Sequence, residues 1–177
     1  MIYQQLKTNN PHTLPSPINQ ESYLQHQRWM SYALNLAQIG LESGEVPVGA
    51  VIIDAEGNLI AQATNRKEKN QDPTAHAEII AIRQASHKLG TWRLNNCTLY
   101  VTLEPCIMCT GAIIQARLSL LVYGVDDPKT GAIRSVFNLP DSLASNHRLQ
   151  VLAGIKELAC KKQLQSWFAR HRQEKLK

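Results

Sequence analysis

The spacing of apolar residues changes along the chain, and each change marks an element. Over residues 21–43, Met30, Ala33, Leu34, Ala37 and Leu41 recur at helical spacing. That pattern predicts a first helix with one apolar face, ended by Gly44. Residues 48–53 (VGAVII) carry no polar side chain, 54–58 suit a turn and 59–64 return, which predicts a β-hairpin. A polar stretch, RKEKNQDPT, leads to a second helix over 75–89, stopped by Gly90. Beyond it the pattern predicts a strand at 98–103, a helix at 106–117 and a strand at 119–124. A short extended segment at 149–152 and a last helix over 154–174 complete the chain.

Strands that are apolar throughout are usually covered on both faces. Alternation with helices then predicts an α/β fold, a three-layer α/β/α sandwich. Its central mixed sheet opens with the antiparallel hairpin and continues in parallel. The 177 residues suit one domain, with no internal repeat. Residues 1–20 hold Pro11, Pro15 and Pro17 among many Asn, Gln and Thr, and are expected to form a flexible leader to a domain at 21–177.

Composition adds three points. Apolar residues make up 44% and charged residues 19%, ordinary for a globular protein, and no run of apolar residues is long enough to predict a membrane-spanning helix. The opening MIYQQLKTNN has neither the basic start and apolar run of a secretion signal nor the arginines of a transit peptide, so a cytoplasmic protein is expected. The net charge of +5 suits a polyanionic partner, although many basic proteins never bind nucleic acid. Of four cysteines, Cys97 and Cys160 are expected to pack, whereas the close pair Cys106/Cys109 suits metal or redox chemistry.

Two short motifs carry that chemistry: His76-Ala77-Glu78 and Pro105-Cys106-Ile107-Met108-Cys109. Each alone is common. A zinc ribbon needs a second C-x-x-C, which is absent from the sequence, and a redox pair usually follows a βαβ opening rather than a hairpin. Both motifs fall where the chain enters a predicted helix, with Pro73 and Pro105 at the entries. Cys106 and Cys109 share a helical face, and a helix N-terminus favours the thiolate that binds metal. Neighbouring parallel strands are expected to bring both helix starts to one edge of the sheet, where ligands of open α/β sheets bind. His76, Cys106 and Cys109 would hold one Zn²⁺ and leave a fourth position for water, as in a catalytic site. Two thiolates cancel the metal charge, and Glu78 is placed to take the proton of that water.

The combination matches the zinc deaminases. More specifically, the chain resembles the bacterial tRNA-specific adenosine deaminases over roughly residues 22–174. The stretches that carry the resemblance are EVPVGAV (45–51), NR (65–66), DPTAHAEI (72–79), LYVTLEPCIMCTGAI (99–113), DPKTGA (127–132), NHR (146–148) and FARHRQE (168–174). The resemblance implies a cytidine-deaminase-like fold, a homodimer, and hydrolysis of adenosine to inosine at the wobble position of an anticodon stem-loop, typically of an arginine tRNA. It further implies that Asn65 bonds the flipped nucleoside, that Val48 and Pro105 line the pocket, and that Asp127, Lys129 and His147 contact flanking nucleotides. Arg170 and Arg172 would meet phosphates. Asn65 also suits a hairpin cap, Asp127-Pro128 a turn, and the two arginines a helix end. Trp167 and Phe168 suit core or dimer contacts, as Leu164 continues their stripe. A zinc deaminase of a free base or nucleotide, such as guanine or deoxycytidylate, would share the same motifs.

Overall fold

The computed structural model describes residues 19–174. Helix α1 (Gln20–Glu42) is followed by strands β1 (Gly49–Ile53) and β2 (Leu59–Thr64), a short helix α2 (Lys67–Asn70) and helix α3 (Ala77–Leu89). Then come β3 (Thr98–Leu103), α4 (Ile107–Gln115), β4 (Leu120–Val125), β5 (Gln150–Ala153) and α5 (Glu157–Glu174). The expected leader falls almost wholly on residues 1–18, outside the described residues. Asn19 caps α1, its side chain accepting from the Ser22 amide at 2.7 Å. Among the described residues no helix is long and apolar enough to cross a membrane.

The five strands form one mixed sheet in the order β2-β1-β3-β4-β5. β1 pairs antiparallel with both β2 and β3, while β3, β4 and β5 run parallel. Alternating side chains divide the core between two layers. Ala50, Ile52, Leu99, Val101, Leu121 and Tyr123 pack with Ala77, Ala81 and Ala85 of α3 and Ile113 of α4. Val51, Ile53, Tyr100 and Val122 pack on the other face with Met30 and Ala33 of α1 and with Cys160 and Leu164 of α5. All five β1 residues are buried, which explains why its sequence lacks alternation. The three-layer sandwich and its antiparallel opening are as expected.

Four details differ from the sequence reading. The strands that lead toward α3 and α4, β2 and β3, run in the same direction but are not neighbours, because β1 lies between them. The stretch read as a polar loop contains α2, which buries no side chain of its own. It is held from a distance: the Glu45 carboxylate, 2% exposed, accepts from the Glu68 and Lys69 amides at 3.3 and 2.9 Å. The second helix begins at Ala77 rather than 75, since the amides of Ala75 and His76 close turns onto Asp72 and Thr74. The last begins at Glu157 rather than 154, because Gly154 and Lys156 take left-handed φ of 83° and 56°.

α1 approaches β1 at Gly49, where a Cβ would stand 2.0 Å from the Ala33 carbonyl oxygen and 2.8 Å from the Ala37 amide nitrogen. Backbone on the far side cannot rotate away. Gly49→Ala should therefore destabilise the fold by about 3 kcal/mol in denaturant unfolding, by forcing the helix off the sheet. A loss below about 0.5 kcal/mol would show that this contact yields freely.

Candidate metal centre

His76 and Cys106 are the residues immediately before α3 and α4, both extended, and neither side chain caps its own helix. Freed from that duty, both side chains point to the same place. The ligand atoms of His76, Cys106 and Cys109 all lie within 4.8 Å of one another. His76 Nδ1 is 3.8 Å from Cys106 Sγ and 3.5 Å from Cys109 Sγ. A tetrahedral zinc ion with ordinary bond lengths sets nitrogen and sulfur ligands roughly 3.6 Å apart, so the three residues fit the metal without rearrangement.

The electrostatics agree with that fit. A hydrogen bond with Cys109, joined by one with His76, pulls the Cys106 thiol down to about 4. The same Cys106 contact is the leading cause that raises the His76 imidazole and pushes the Cys109 thiol up. The three groups thus share protons around one thiolate, and a bound dication replaces protons at such a donor set.

Glu78, on the first turn of α3, is 4% exposed. Burial raises its carboxyl above the ordinary glutamate value. Its Oε2 has no hydrogen-bond partner within the protein. An unpaired carboxylate oxygen inside a protein is costly, and at this position it is available for proton exchange beside the His–Cys–Cys group. A helix glutamate serving stability alone would be expected in solvent.

Asn65 joins the end of β2 to the start of α3. Its Oδ1 accepts from the Ala77 amide at 2.8 Å and its Nδ2 donates to the Val46 carbonyl at 3.1 Å. Val48 is 5% exposed, and its carbonyl accepts from the Asn65 amide. Pro105, also buried, adjoins Cys106 in the chain. Asn65, Val48 and Pro105 therefore stand beside the two turns that carry His76 and Cys106. Asp127 is half-buried and turns its carboxylate onto its own loop, accepting from Lys129 N, Thr130 N and Thr130 Oγ1 at 2.9, 3.2 and 2.6 Å. Lys129 is exposed.

The remaining expectations separate from the centre. His147 Nε2 lies 2.6 Å from the Leu118 carbonyl oxygen, before β4, whereas Cys106 follows the far end of the parallel strand β3. The ring therefore stands at the opposite edge of the sheet from the metal ligands. Arg170 and Arg172 are exposed on α5, which packs on the α1 face. Leu164 is core there, but Phe168 is 48% exposed and meets the Trp167 ring edge-on, outside the buried core. Sequence reasoning passed over one neighbour of the ligands, Glu104, which is 2% exposed and directly precedes Pro105. The signal was there: a lone acidic residue between an apolar strand and Pro-Cys.

Comparison with known proteins gives this site a context. The MafB19-like deaminase family matches residues 24–168. A tRNA-specific adenosine deaminase of Haemophilus influenzae is 46% identical over 149 residues, covering 84% of this chain and 86% of that protein. A structure solved in work on A-to-I editing by tRNA:A34 deaminases at the wobble position of transfer RNA superposes with a TM-score of 0.75 at 42% identity, covering 77% of this chain and 99% of that one. A guanine deaminase from Nitrosomonas europaea superposes with a TM-score of 0.69 at 25% identity, covering 89% and 97%.

The donor set makes its own prediction. Cys109→Ala should leave a folded protein that no longer retains zinc through dialysis, while wild type keeps one ion per chain by elemental analysis. Unchanged zinc in the variant would remove Cys109 from the ligands.

Proposed function

Because the chain belongs to the MafB19-like deaminases and to the family of tRNA-specific adenosine deaminases, we propose that it hydrolyses adenosine to inosine at the wobble position of a tRNA anticodon. The observation that carries the reading is the buried Glu78, with one oxygen unpartnered, beside a three-residue metal-ligand group. His76, Cys106 and Cys109 would hold Zn²⁺, which would lower the pKa of a water at the site. Glu78 would take a proton from water, pass it to the ring nitrogen next to the amino group, and afterwards protonate that amino group so that it leaves as ammonia. The balance is adenosine plus water to inosine plus ammonia.

The other roles follow from placement. Asn65, already fixed by Val46 and Ala77, keeps one amide hydrogen for the extruded nucleoside. Val48 and Pro105 wall the base, and the loop of Asp127 and Lys129 meets the flanking nucleotides. Arg170 and Arg172 contribute phosphate contacts, consistent with the chain's net charge of +5. His147, held by the Leu118 carbonyl at the other end of the sheet, would meet nucleotides farther from the reactive base. Turning a base out of an unpaired anticodon loop costs little, which suits this pocket to RNA loops. An arginine tRNA as substrate, a homodimer, and a cytoplasmic setting complete the reading.

A free base is the alternative, favoured by the structural likeness to the guanine deaminase. One comparison separates the two. Zinc-loaded protein is incubated separately with an arginine tRNA bearing wobble adenosine and with guanine, adenosine, cytidine and deoxycytidylate. Inosine at that single tRNA position is expected, and ammonia only from a free base or nucleotide would overturn the substrate. Glu78→Gln should retain zinc yet lose at least about a thousandfold in turnover, because the amide cannot carry the proton. Near-normal turnover in that variant would remove Glu78 from the reaction.

A further inference from the structure

Glu104 follows β3 and precedes the ligand-bearing turn, and its carboxylate is saturated by one loop. Oε1 accepts from the amides of Ile133, Arg134 and Ser135 at 3.0, 2.8 and 3.0 Å. Oε2 accepts from the Asp127 amide at 2.9 Å and from the Ser135 hydroxyl. The same loop donates from the Ala132 amide to the Pro105 carbonyl at 2.9 Å and bridges Cys106 through Gly131. Gly131 has no room for a side chain, since a Cβ would stand 2.4 Å from Glu104 Cδ. One buried carboxylate thus fastens the loop of residues 126–135 to the strand end that delivers Cys106.

We propose that Glu104 is a positioning residue that sets where the Asp127–Lys129 segment stands relative to the metal centre, and so governs recognition of the nucleotides flanking the reactive base. The inference rests on the proposed RNA substrate. A carboxylate suits the task because it presents only acceptors, and every group aimed at it is a donor. Five hydrogen bonds to a buried charge are also stronger than five to a neutral amide. They offset the cost of burying that charge, and they define the loop to within the tolerance of a hydrogen bond.

Glu104→Gln isolates the claim. The amide oxygen can serve the Ile133–Ser135 amides, and the Ser135 hydroxyl can rotate to accept. The amide NH₂ group then faces the Asp127 N–H, donor against donor, so the damage falls on the nucleotide-facing segment and not on Cys106. Wild type and variant, both zinc-loaded, are compared for binding to anticodon stem-loops that differ only in the nucleotides beside the adenosine. Amide hydrogen exchange is followed in parallel. The variant is expected to keep its zinc, to exchange faster at Asp127 while α3 stays protected, and to discriminate among stem-loops about tenfold less well than wild type. Ser135→Ala removes one donor only and should weaken the same discrimination by about threefold, which keeps the proposal testable if Glu104→Gln does not fold. A residue needed only for folding would weaken binding to all stem-loops by one common factor, and that result in either variant overturns the proposal. If wild type binds no stem-loop, the RNA substrate fails on that result. The clamp is then judged on exchange alone, where unchanged protection at Asp127 in Glu104→Gln overturns it.

Discussion

The structure depends on one constraint: the residues before two helices must meet at a single point. His76 and Cys106 occupy equivalent places at the starts of α3 and α4, and Cys109 lies one helical turn beyond Cys106. Helix N-termini carry partial positive charge, which stabilises thiolate and keeps the site attractive to anionic ligands. Much of the rest can be understood as enforcing this meeting. β1 inserts between β2 and β3, so the two strands that lead to the ligands run the same way at a fixed separation. Gly49 lets α1 close over β1 with no side chain between them. Asn65 pins the start of α3 to the segment preceding β1.

Three buried glutamates near this point illustrate how hydrogen bonding sorts structure from chemistry. Glu45 receives two amides of α2, and Glu104 receives four amides and a hydroxyl. A carboxylate presents only acceptors, so one surrounded by donors serves as an anchor. Glu78 is as deeply buried, yet one oxygen finds no donor, and burial raises its carboxyl. A carboxyl raised toward neutral pH is better suited to take up and pass on a proton, as the proposed role of Glu78 requires. The two anchors steady the turn after Asn65 and the loop after β4.

The elements legible in the sequence were those with a local period. The strand at 98–103 coincides with β3, which is buried on both faces, and the first helix lies within one residue of α1 at each end, because α1 buries a regular stripe. α2 was invisible because its support comes from Glu45, more than twenty residues earlier, and no apolar pattern betrays it. Pairing between β1 and β3 was equally hidden, since a hairpin signal specifies only its two own strands. The cluster of His76, Cys106 and Cys109 was readable from spacing because metal chemistry restricts residue type. Glu104 stood out only as a lone acidic residue, and its role was hidden since its five donors come from a loop with no regular pattern. The place of His147 at the far edge was not legible either, because the long connection from β4 to β5 sets it.

The central claim is that two helix starts supply three zinc ligands and leave the fourth for solvent. X-ray absorption at the zinc edge of the loaded wild-type protein tests this most directly. The account predicts two sulfur ligands, one imidazole nitrogen and one oxygen that exchanges with added small anions. A closed shell of four protein ligands, with a third sulfur or a second imidazole, would contradict it.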